Sequence, residues 1–326
     1  MEEFVRLSKR SQRKLTLEQY AEYKKRERAY NYENSDCIRG ITKSRVWHFV
    51  LWHLLRLMRL SKQQKLFVIA DDRERKKNSV IYACTHIGYD DVAMTFEAVK
   101  SPFWLFWGNP GVAYRTLDGK MAQKNGAVFL DTYDKEDRKI AKQLAIRVLK
   151  REMSLLIYPE GAWNLTENLP VMKLYRGAVD MAMETGADIV PIAIEQYGKN
   201  FYVNIGKNIN YSNREKNRQE LTDELRDALA TLKWEIWERM GVEERQSIPG
   251  NLHEHFAKDI LEEAWEAYPY TMEEWEAERF HDKDNPEPEE VFAFLENLPV
   301  KKETAFLKRR ESVHERKKNK NNEGYH

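Results

Sequence analysis

Cysteine is scarce in this sequence: Cys37 and Cys84 are the two examples among 326 residues. Two cysteines cannot build the multi-bridge framework that stabilises small secreted domains. No Cys/His cluster has the spacing of a zinc site either. We therefore expect neither structural disulfides nor a bound metal.

Long apolar runs are also missing. No run reaches the ~18 residues expected of a membrane-spanning helix. Met1 is followed by charged residues rather than by the basic cap and apolar stretch of a secretory signal, so we expect an intracellular protein. In contrast, 42% hydrophobic and 12% aromatic residues are enough for a real core, which excludes global disorder.

The charges are segregated, although the formal net charge is only +1. Residues 1–62 contain 15 Lys/Arg against 7 Asp/Glu, residues 251–300 contain 3 against 15, and the last 26 residues return to 9 against 4. A basic end suits phosphates or an anionic membrane surface. Nucleic-acid binding is a weaker alternative, which would be strongly salt-dependent, and we expect no nucleic-acid partner.

The segment Val46–Leu60 predicts a short helix with an apolar side and a cationic stripe. The apolar side consists of Val46, Val50, Leu51, Leu54, Leu55 and Met58. The stripe consists of Arg45, His48, Arg56, Arg59 and Gln63, with His53 and Lys62 nearby. Such a helix fits the cytoplasmic face of a membrane as a peripheral anchor. A helix packed on the core, with its basic edge in water, is an equally good interpretation.

Short apolar segments alternate with helical patterns between Ser79 and Gly206. The predicted strands are Val80–Cys84, Phe103–Trp107, Ala127–Asp131, Ser154–Tyr158, Asp188–Ile194 and Phe201–Ile205. Helices are predicted behind Asp134 and from Leu174 to a stop at Gly186. This alternation predicts an α/β fold with a mixed, mostly parallel central sheet covered by helices, and with helical N- and C-terminal extensions.

We divide the chain into four regions. Residues 1–78 form a basic, helical N-terminal region that contains the amphipathic helix, and residues 79–211 form the α/β core. Residues 212–300 form a helical and increasingly acidic C-terminal region. Residues 301–326 form a basic tail that we expect to be disordered beyond about Glu311.

The sharpest chemical feature is the segment THIGYDD, which directly follows a predicted strand. Residues five apart are not neighbours on a helix, so His86 and Asp91 meet only if His86 lies in the loop and Asp91 on the next helix's first turn. Gly88 makes such a bend plausible. Asp91 would then fix the tautomer of His86, whose other nitrogen could take a hydroxyl proton. Alternatively, Asp90 or Asp91 simply caps the helix, and His86 is incidental.

Two further segments carry weaker signals. In YPEGAWN, Glu160 could hydrogen-bond a hydroxyl or hold a cation, and Gly161 would let a ligand approach the backbone; an ordinary strand exit with a solvated glutamate is the alternative. In KLYRGAVDMA, Lys173, Arg176 and Gly177 lie at a predicted helix start, which favours an anion. By itself, that pattern is more typical of a helix with surface bases.

Taken in order, these segments resemble the glycerolipid acyltransferase family, whose familiar members acylate lysophosphatidate or glycerol phosphate. His86 and Asp91 match its H-x-x-x-x-D block, which supplies the catalytic base and its orienting carboxylate. The segment GAVFLDT resembles the acceptor-binding block G-x-x-F-I-D-R, YPEGAWN resembles F-P-E-G-T-R-S, and GADIVPIAI resembles the hydrophobic V-P-V-A-I block. The resemblance covers roughly Val80 to Gly206.

The chain departs from this pattern at the acceptor-binding blocks. Family arginines associated with the acceptor phosphate are replaced by Thr132 and Trp163, and a threonine is replaced by Ala162. These changes put lysophosphatidate as the acceptor in doubt. The basic residues that could substitute are Arg115, Arg138, Lys173 and Arg176.

The resemblance implies transfer of a fatty acyl group from acyl-CoA or an acyl-carrier protein to a lipid hydroxyl, with neither metal nor cofactor. The choice between the two donors stays open. Direct transfer agrees with the absence of a G-x-S-x-G serine elbow from the sequence. The alternative from another class is a non-catalytic lipid-binding or scaffolding protein that retains the fold.

Overall fold

The computed structural model describes residues 4–279, apart from gaps at 35–39, 76–77, 89, 167–168, 213, 216, 242–244, 248–249, 252–253, 255 and 268–269. Seven strands form its central sheet: β1 Lys65–Asp71, β2 Val80–Cys84, β3 Phe103–Gly108, β4 Ala127–Leu130, β5 Ser154–Ile157, β6 Asp188–Tyr197 and β7 Asn200–Ile205. Their spatial order is β1-β7-β6-β2-β5-β3-β4. Neighbours are parallel except for β6 and β7, so the predicted mixed, mostly parallel sheet is confirmed.

The first strand of the sheet is missing from the strands predicted above. The assignment of residues 65–71 to the N-terminal helical region is wrong, because they form β1 and pair in parallel with β7. This strand lies at the sheet edge with one neighbour, and its side chains are exposed or only half-buried. Its five apolar residues from Leu66 to Ala70 nevertheless form a run of the kind that predicts a strand. The sheet therefore begins at Lys65 rather than after residue 79.

The helices of the described chain are α1 Lys9–Gln12, α2 Leu17–Asn34, α3 Ile41–Ser61, α4 Asp91–Val99, α5 Leu117–Asn125, α6 Lys135–Lys150, α7 Gly177–Thr185, α8 Arg218–Met240, α9 Glu262–Ala267 and α10 Met272–Glu278. Single-turn 3₁₀ segments lie at Gly111–Arg115 and Arg245–Ser247, and a π-helical segment lies at Phe256–Leu261. One face of the sheet packs against α6, α7 and α8. The other face packs against α3 and α4.

Helix ends follow local signals in the sequence. The Asp134 side chain accepts the N–H groups of Glu136 and Asp137, which caps α6 as predicted. Gly186 ends α7 in the left-handed region, with φ of 72°. The same helix begins at Gly177, three residues later than predicted, because the preceding chain is hydrogen-bonded to the loop after β5.

The C-terminal region is helical as far as it is described. Helix α8 buries Leu221, Leu225 and Leu229, and α9 and α10 follow it along the chain. The end of this region and the predicted basic tail at 301–326 lie outside the described residues.

Helix α3 is turned with much of its apolar side outward. His48 and Leu51 are buried, whereas Val46, Phe49 and Leu57 are about two-thirds exposed, at 64%, 66% and 64%. The predicted cationic stripe partly faces the protein: His48 is in the core, and Arg59 forms a bidentate ion pair with Glu97 on α4, at 2.6 and 2.8 Å. In the part of the chain that the structure describes, no helix is long and apolar enough to cross a membrane.

Candidate active site

His86 and Asp91 are directly hydrogen-bonded where the chain leaves β2. His86 lies in the loop, and Asp91 is the first residue of α4. The distance from His86 Nδ1 to Asp91 Oδ2 is 2.7 Å. Asp91 is fully buried, and the same oxygen accepts the backbone N–H groups of Ile87 at 2.7 Å and Gly88 at 3.1 Å. The predicted geometry of the pair is therefore present.

The capping alternative does not describe these aspartates. The Asp91 carboxylate accepts N–H groups that precede the helix, not those of its first turn. Asp90 makes no side-chain capping bond and instead pairs with Lys62 at 2.8 Å and with the Gln64 amide at 2.6 Å. Gly88 lacks a positive φ, and a Cβ there would meet no described atom within 4 Å, so the bend does not require glycine.

The pair leaves one imidazole nitrogen for chemistry. An ionised carboxylate can only accept a hydrogen bond. Nδ1 of His86 therefore carries a proton and donates it to the bond with Asp91, and Nε2 has the lone pair. The His86 side chain is 17% exposed, whereas the Asp91 side chain is 0% exposed. Substrate can therefore reach the imidazole, while the carboxylate that orients it stays in the core.

His86 is held from three more sides by the loop that follows β5. Its N–H donates to Glu160 Oε1 at 2.9 Å, and its carbonyl accepts the Asn164 N–H at 2.7 Å. Its ring stacks on Tyr158 at 4.2 Å, with an interplanar angle of 27°. Because β2 and β5 are adjacent parallel strands, their carboxyl ends bring the two loops together.

Glu160 has a different role from the one expected. We expected it to bind an acceptor hydroxyl or a cation, but it is 0% exposed, and its two carboxyl oxygens accept the backbone N–H groups of His86 and Met172. Burial raises the pKa of the Glu160 carboxyl, against these N–H groups, which lower it. Glu160 therefore joins two backbone segments to the catalytic loop instead of lining an acceptor pocket.

The turn in the loop after β5 requires glycine at position 161. Gly161 is exposed and has φ of 80°, a left-handed conformation that other residues rarely adopt. Its N–H donates to the Tyr158 carbonyl at 3.1 Å, which closes the turn. The glycine is thus needed for the turn itself, whether or not a ligand approaches its backbone.

Two of the predicted basic residues flank this loop. The N–H of Tyr175 donates to the Pro159 carbonyl at 2.8 Å, which brings the chain before α7 against the loop. Within that chain Lys173 is buried and Arg176 is exposed, immediately before Gly177 begins α7. Lys173, Arg176 and Gly177 therefore lie next to the loop after β5, which also holds His86.

The other two basic residues lie elsewhere. Arg115 donates to the carbonyls of Gln12 and Leu15, at 3.2 and 2.7 Å, and its guanidinium lies over the Tyr20 ring. Arg138 donates to the Thr132 carbonyl beyond β4. Strand β4 is three strands from β2, or about 14 Å at the usual ~4.8 Å spacing. Arg115 serves the N-terminal segment, which argues against its predicted acceptor role.

The residues that replace the family arginines are also engaged. The Thr132 hydroxyl accepts the Asn109 side-chain amide at 2.5 Å, which joins the ends of β3 and β4. Trp163 is 7% exposed and packs with Ala162 in an apolar cluster completed by Trp275. Its ring also lies edge-on to His86, at 6.1 Å between centroids. Neither Thr132 nor Trp163 offers a positive charge to an acceptor.

Tyr158 and Asn164 are functional residues to which the sequence pattern assigns no role. Burial raises the pKa of the Tyr158 hydroxyl well above its usual range, so the phenol stays neutral under the His86 ring. The available signal is their place in YPEGAWN, directly after a strand. What a local pattern does not reveal is that this strand neighbours β2.

Two cavities occur away from these residues. They have volumes of about 340 and 180 Å³ and are lined by α2 together with the ends of β3 and β4. His86 and Asp91 line neither cavity. Among the described residues, no group of three His, Cys, Asp or Glu is placed to hold a metal ion. The geometry of the His86–Asp91 pair therefore defines the site.

Part of the chain is similar to known acyltransferases. Residues 65–195 match the family model described as Acyltransferase. Over 141 residues the chain is 25% identical to the 1-acyl-sn-glycerol-3-phosphate acyltransferase of Borreliella burgdorferi, which covers 43% of this chain and 55% of the relative. The chain thus spans about half the length of that curated relative.

A solved structure shows the same fold. It is the 1-acyl-sn-glycerophosphate (LPA) acyltransferase PlsC from Thermotoga maritima, with a TM-score of 0.50 over 66% of this chain and 88% of that chain. The two sequences are 12% identical, so this likeness concerns the fold alone.

Proposed function

We propose that this chain, whose residues 65–195 match the Acyltransferase family model, transfers a fatty acyl group from an acyl thioester to a hydroxyl of a lipid acceptor. The observation that carries the proposal is the 2.7 Å bond between the partly exposed His86 ring and the buried Asp91 carboxylate. This bond leaves Nε2 of His86 as the basic atom. The acyl donor is acyl-CoA or an acyl-carrier protein, and their shared thioester is what the mechanism requires.

The reaction follows from this arrangement. His86 Nε2 takes the proton of the acceptor hydroxyl as its oxygen attacks the thioester carbonyl, and Asp91 stabilises the imidazolium that forms. The tetrahedral oxyanion then collapses, the C–S bond breaks, and the ester bond remains. The thiolate receives the proton from Nε2, which restores neutral His86 and releases a thiol. General-base help of this kind is worth about 10²–10⁴-fold in rate.

We further propose that the acceptor is not simple lysophosphatidate. Arginine supplies a forked, permanently charged donor for phosphate, whereas Thr132 and Trp163 supply none. The Thr132 hydroxyl is bonded to Asn109, and Trp163 is buried under Trp275. Hydrogen bonds to charged groups are worth roughly 1.5–3 kcal/mol each, so losing two would weaken phosphate recognition by orders of magnitude. Arg176, which is exposed, and Lys173, which is buried, lie beside the catalytic loop and are the remaining candidates for a relocated phosphate contact.

We place the enzyme on a membrane surface through α3. The exposed side chains of Val46, Phe49, Leu54 and Leu57 form an outward apolar face on this helix. Faces of this kind insert into the boundary between head groups and acyl chains. Lipid acceptors reside in that boundary, so a protein bound there meets its substrate directly.

An acceptor panel tests the proposal. Thiol release from acyl-CoA and from acyl-carrier protein is measured with lysophosphatidate, with a neutral lysolipid and with lysolipids that carry larger head groups. We expect acceptor-dependent release, with a higher kcat/KM for an acceptor without a terminal phosphate. No release with any donor–acceptor pair would favour the non-catalytic lipid-binding alternative.

The acceptor part of the proposal can fail separately. Efficient and preferential use of lysophosphatidate would refute it while leaving acyl transfer intact. In that case, Arg176→Ala shows whether the phosphate contact has moved to the start of α7.

A further inference from the structure

A C-terminal cap lies against the catalytic loop. We define the cap as α9 and α10, which are outside the residues that match the family model. Its buried Trp275 forms one apolar cluster with Ala162, Trp163 and Met172 from the loop side. Trp265, whose ring lies 6.0 Å from that of Trp275, packs on the same cluster. The loop that holds His86 is therefore covered by a segment more than a hundred residues away in sequence.

The cap reaches the catalytic histidine through one peptide group. The indole N–H of Trp275 donates to the Trp163 carbonyl at 2.8 Å, in a buried bond. The N–H of the same peptide group, which belongs to Asn164, donates to the His86 carbonyl at 2.7 Å. A peptide group is planar and rigid, so fixing its carbonyl also fixes the direction of its N–H. Hydrogen bonds in such a chain also polarise one another.

Trp275 supports His86 by a second path. Met172, which packs in the same cluster as Trp275, donates its N–H to Glu160 at 2.8 Å. The other oxygen of that carboxyl accepts the His86 N–H at 2.9 Å. Both backbone bonds of His86 therefore depend on segments that bond to Trp275 or pack with it.

The cap itself is anchored at another point. Tyr270, between α9 and α10, donates its hydroxyl to the Asn109 carbonyl at 2.6 Å, beyond the end of β3. Asn109 is in turn bonded to Thr132 beyond β4. The cap thus spans the carboxyl ends of the strands, and Trp275 approaches the loop from a fixed support.

We propose that Trp275 is a positioning residue for acyl transfer: it holds the Trp163–Asn164 peptide group and thereby the backbone of His86. The proposal rests on the proposed function for its kinetic effect, but not for its structural effect. It also gives a role to Trp163, whose carbonyl and ring dock the cap at the position where the family has an arginine.

Two variants separate the hydrogen bond from the packing. Trp275→Phe keeps an aromatic ring but loses the N–H, and we expect kcat to fall roughly 3- to 10-fold. Trp275→Ala also loses the ring, and we expect a fall of about 10- to 100-fold, because small displacements of a catalytic group are costly. The KM for the acyl donor should change less than about twofold in Trp275→Phe, since the proposed effect lies in the chemical step. Trp234→Phe, at a partly exposed tryptophan on α8, is the matched control and should leave kcat unchanged.

A second measurement requires no activity. The rate at which diethyl pyrocarbonate modifies His86 is followed by mass spectrometry of its peptide, together with circular dichroism to verify folding. We expect modification to be faster by at least about threefold in Trp275→Phe, because loss of the indole hydrogen bond lets the loop leave its bonded position more often. It should be unchanged in Trp234→Phe.

The outcomes are distinguishable. Unchanged kcat and unchanged His86 reactivity in folded Trp275 variants would overturn the proposal. So would a loss of activity without any change in His86 reactivity, since the cap would then act elsewhere. If wild-type protein shows no transfer at all, the proposed function fails, and His86 reactivity still decides the positioning role.

Discussion

Both backbone groups of His86 and its ring Nδ1 are hydrogen-bonded, whereas the four cations predicted to bind the acceptor are spread over separate segments. Arg115 supports the N-terminal segment, Arg138 lies beyond β4, and only Lys173 and Arg176 lie beside the catalytic loop. Preorganisation is therefore concentrated on the chemical step. Under the proposed function, we expect the acceptor to depend on fewer fixed contacts, so that its specificity can change without disturbing catalysis.

The largest expected effect comes from removing His86 or Asp91, which are hydrogen-bonded to each other. We expect His86→Ala to reduce acyl transfer by at least ~100-fold and Asp91→Asn to reduce it somewhat less. Because the two residues act as a unit, the double variant should be no slower than His86→Ala alone. Steady-state kinetics of thiol release measure all three.

Asp90→Asn is the matched control for this comparison, because Asp90 pairs with Lys62 and Gln64 rather than with His86. It should retain near-normal kcat. Multiplicative losses in the double variant would show that His86 and Asp91 act independently, which would contradict their role as a unit.

A smaller effect is expected at Glu160, whose carboxyl oxygens accept the backbone N–H groups of His86 and Met172. Glu160→Gln has one acceptor oxygen in place of two, so one buried N–H loses its partner. We expect a stability loss of about 1–3 kcal/mol and a roughly 10-fold fall in kcat. Urea unfolding and kinetics measure the two effects.

Glu195→Gln supplies the comparison, since Glu195 is equally buried but is bonded to Lys233 and Trp237 behind β6. It should lose stability while keeping kcat per folded molecule. Equal kinetic losses in both variants would show that Glu160 matters only for folding.

The His86–Asp91 pair and the residues that support it differ in how far they can be predicted from the sequence. His86 and Asp91 are five residues apart and flank a strand–helix junction, so local rules predict that they meet. The partner of Glu160 is the His86 backbone, 74 residues away, and the partner of the Trp163 carbonyl is Trp275, 112 residues away. Such pairings depend on strand order and helix placement, which no local pattern contains.

Most strands of the fold could be predicted from the sequence, whereas the orientation of one helix could not. Six strands have strong apolar runs because they lie within the sheet or pack beneath helices, and each matches its predicted range within a few residues. The edge strand Lys65–Asp71 also contains an apolar run, Leu66–Ala70, but the division of the chain at residue 79 leaves it in the N-terminal region. Helix α3 is amphipathic as predicted, but which side faces the protein depends on Glu97 and Asn125, its partners on α4 and α5.

Substitutions on the exposed face of α3 should weaken membrane binding with little effect on the chemistry at His86. Replacing Phe49, Leu54 and Leu57 by serine removes exposed apolar area from α3, so co-sedimentation with anionic liposomes should fall several-fold, at ~25 cal/mol per Å² removed. Leu51 is unsuitable for this test because it is buried. Transfer to a soluble short-chain acceptor should be preserved.

The control places the same three serines at exposed apolar residues of other helices, namely Leu17, Leu117 and Met272. This variant should bind liposomes as the wild type does. Equal losses in both triple variants would remove α3 as the specific anchor.

The smallest effect at neutral pH concerns His48, which contrasts with His86 because its partner is an amide. His48 is 4% exposed and its Nδ1 lies 3.1 Å from the Asn125 Oδ1, and burial lowers its pKa to about 4. A lowered pKa in the folded state gives stability that is complete above the unfolded pKa of about 6.5 and is lost as the pH falls toward 4. We expect this group to account for a loss of about 3 kcal/mol across that range.

Urea unfolding of the wild type and of His48→Phe at pH 7, 5 and 4 measures this loss. The variant keeps an aromatic ring on Phe96 but cannot be protonated, so its stability should fall less over the same range. Parallel losses in the two proteins would assign the pH dependence to other groups.

The most direct test of His86 as the catalytic base follows an isotope-labelled acyl group from its thioester. Wild-type protein and His86→Ala are incubated with labelled acyl-CoA and the best acceptor of the panel, and labelled lipid and free thiol are quantified by mass spectrometry. We predict one labelled ester per thiol released by the wild type, and almost none from His86→Ala. Equal yields of labelled lipid from the two proteins would contradict the role of His86 as the base that activates the acceptor hydroxyl.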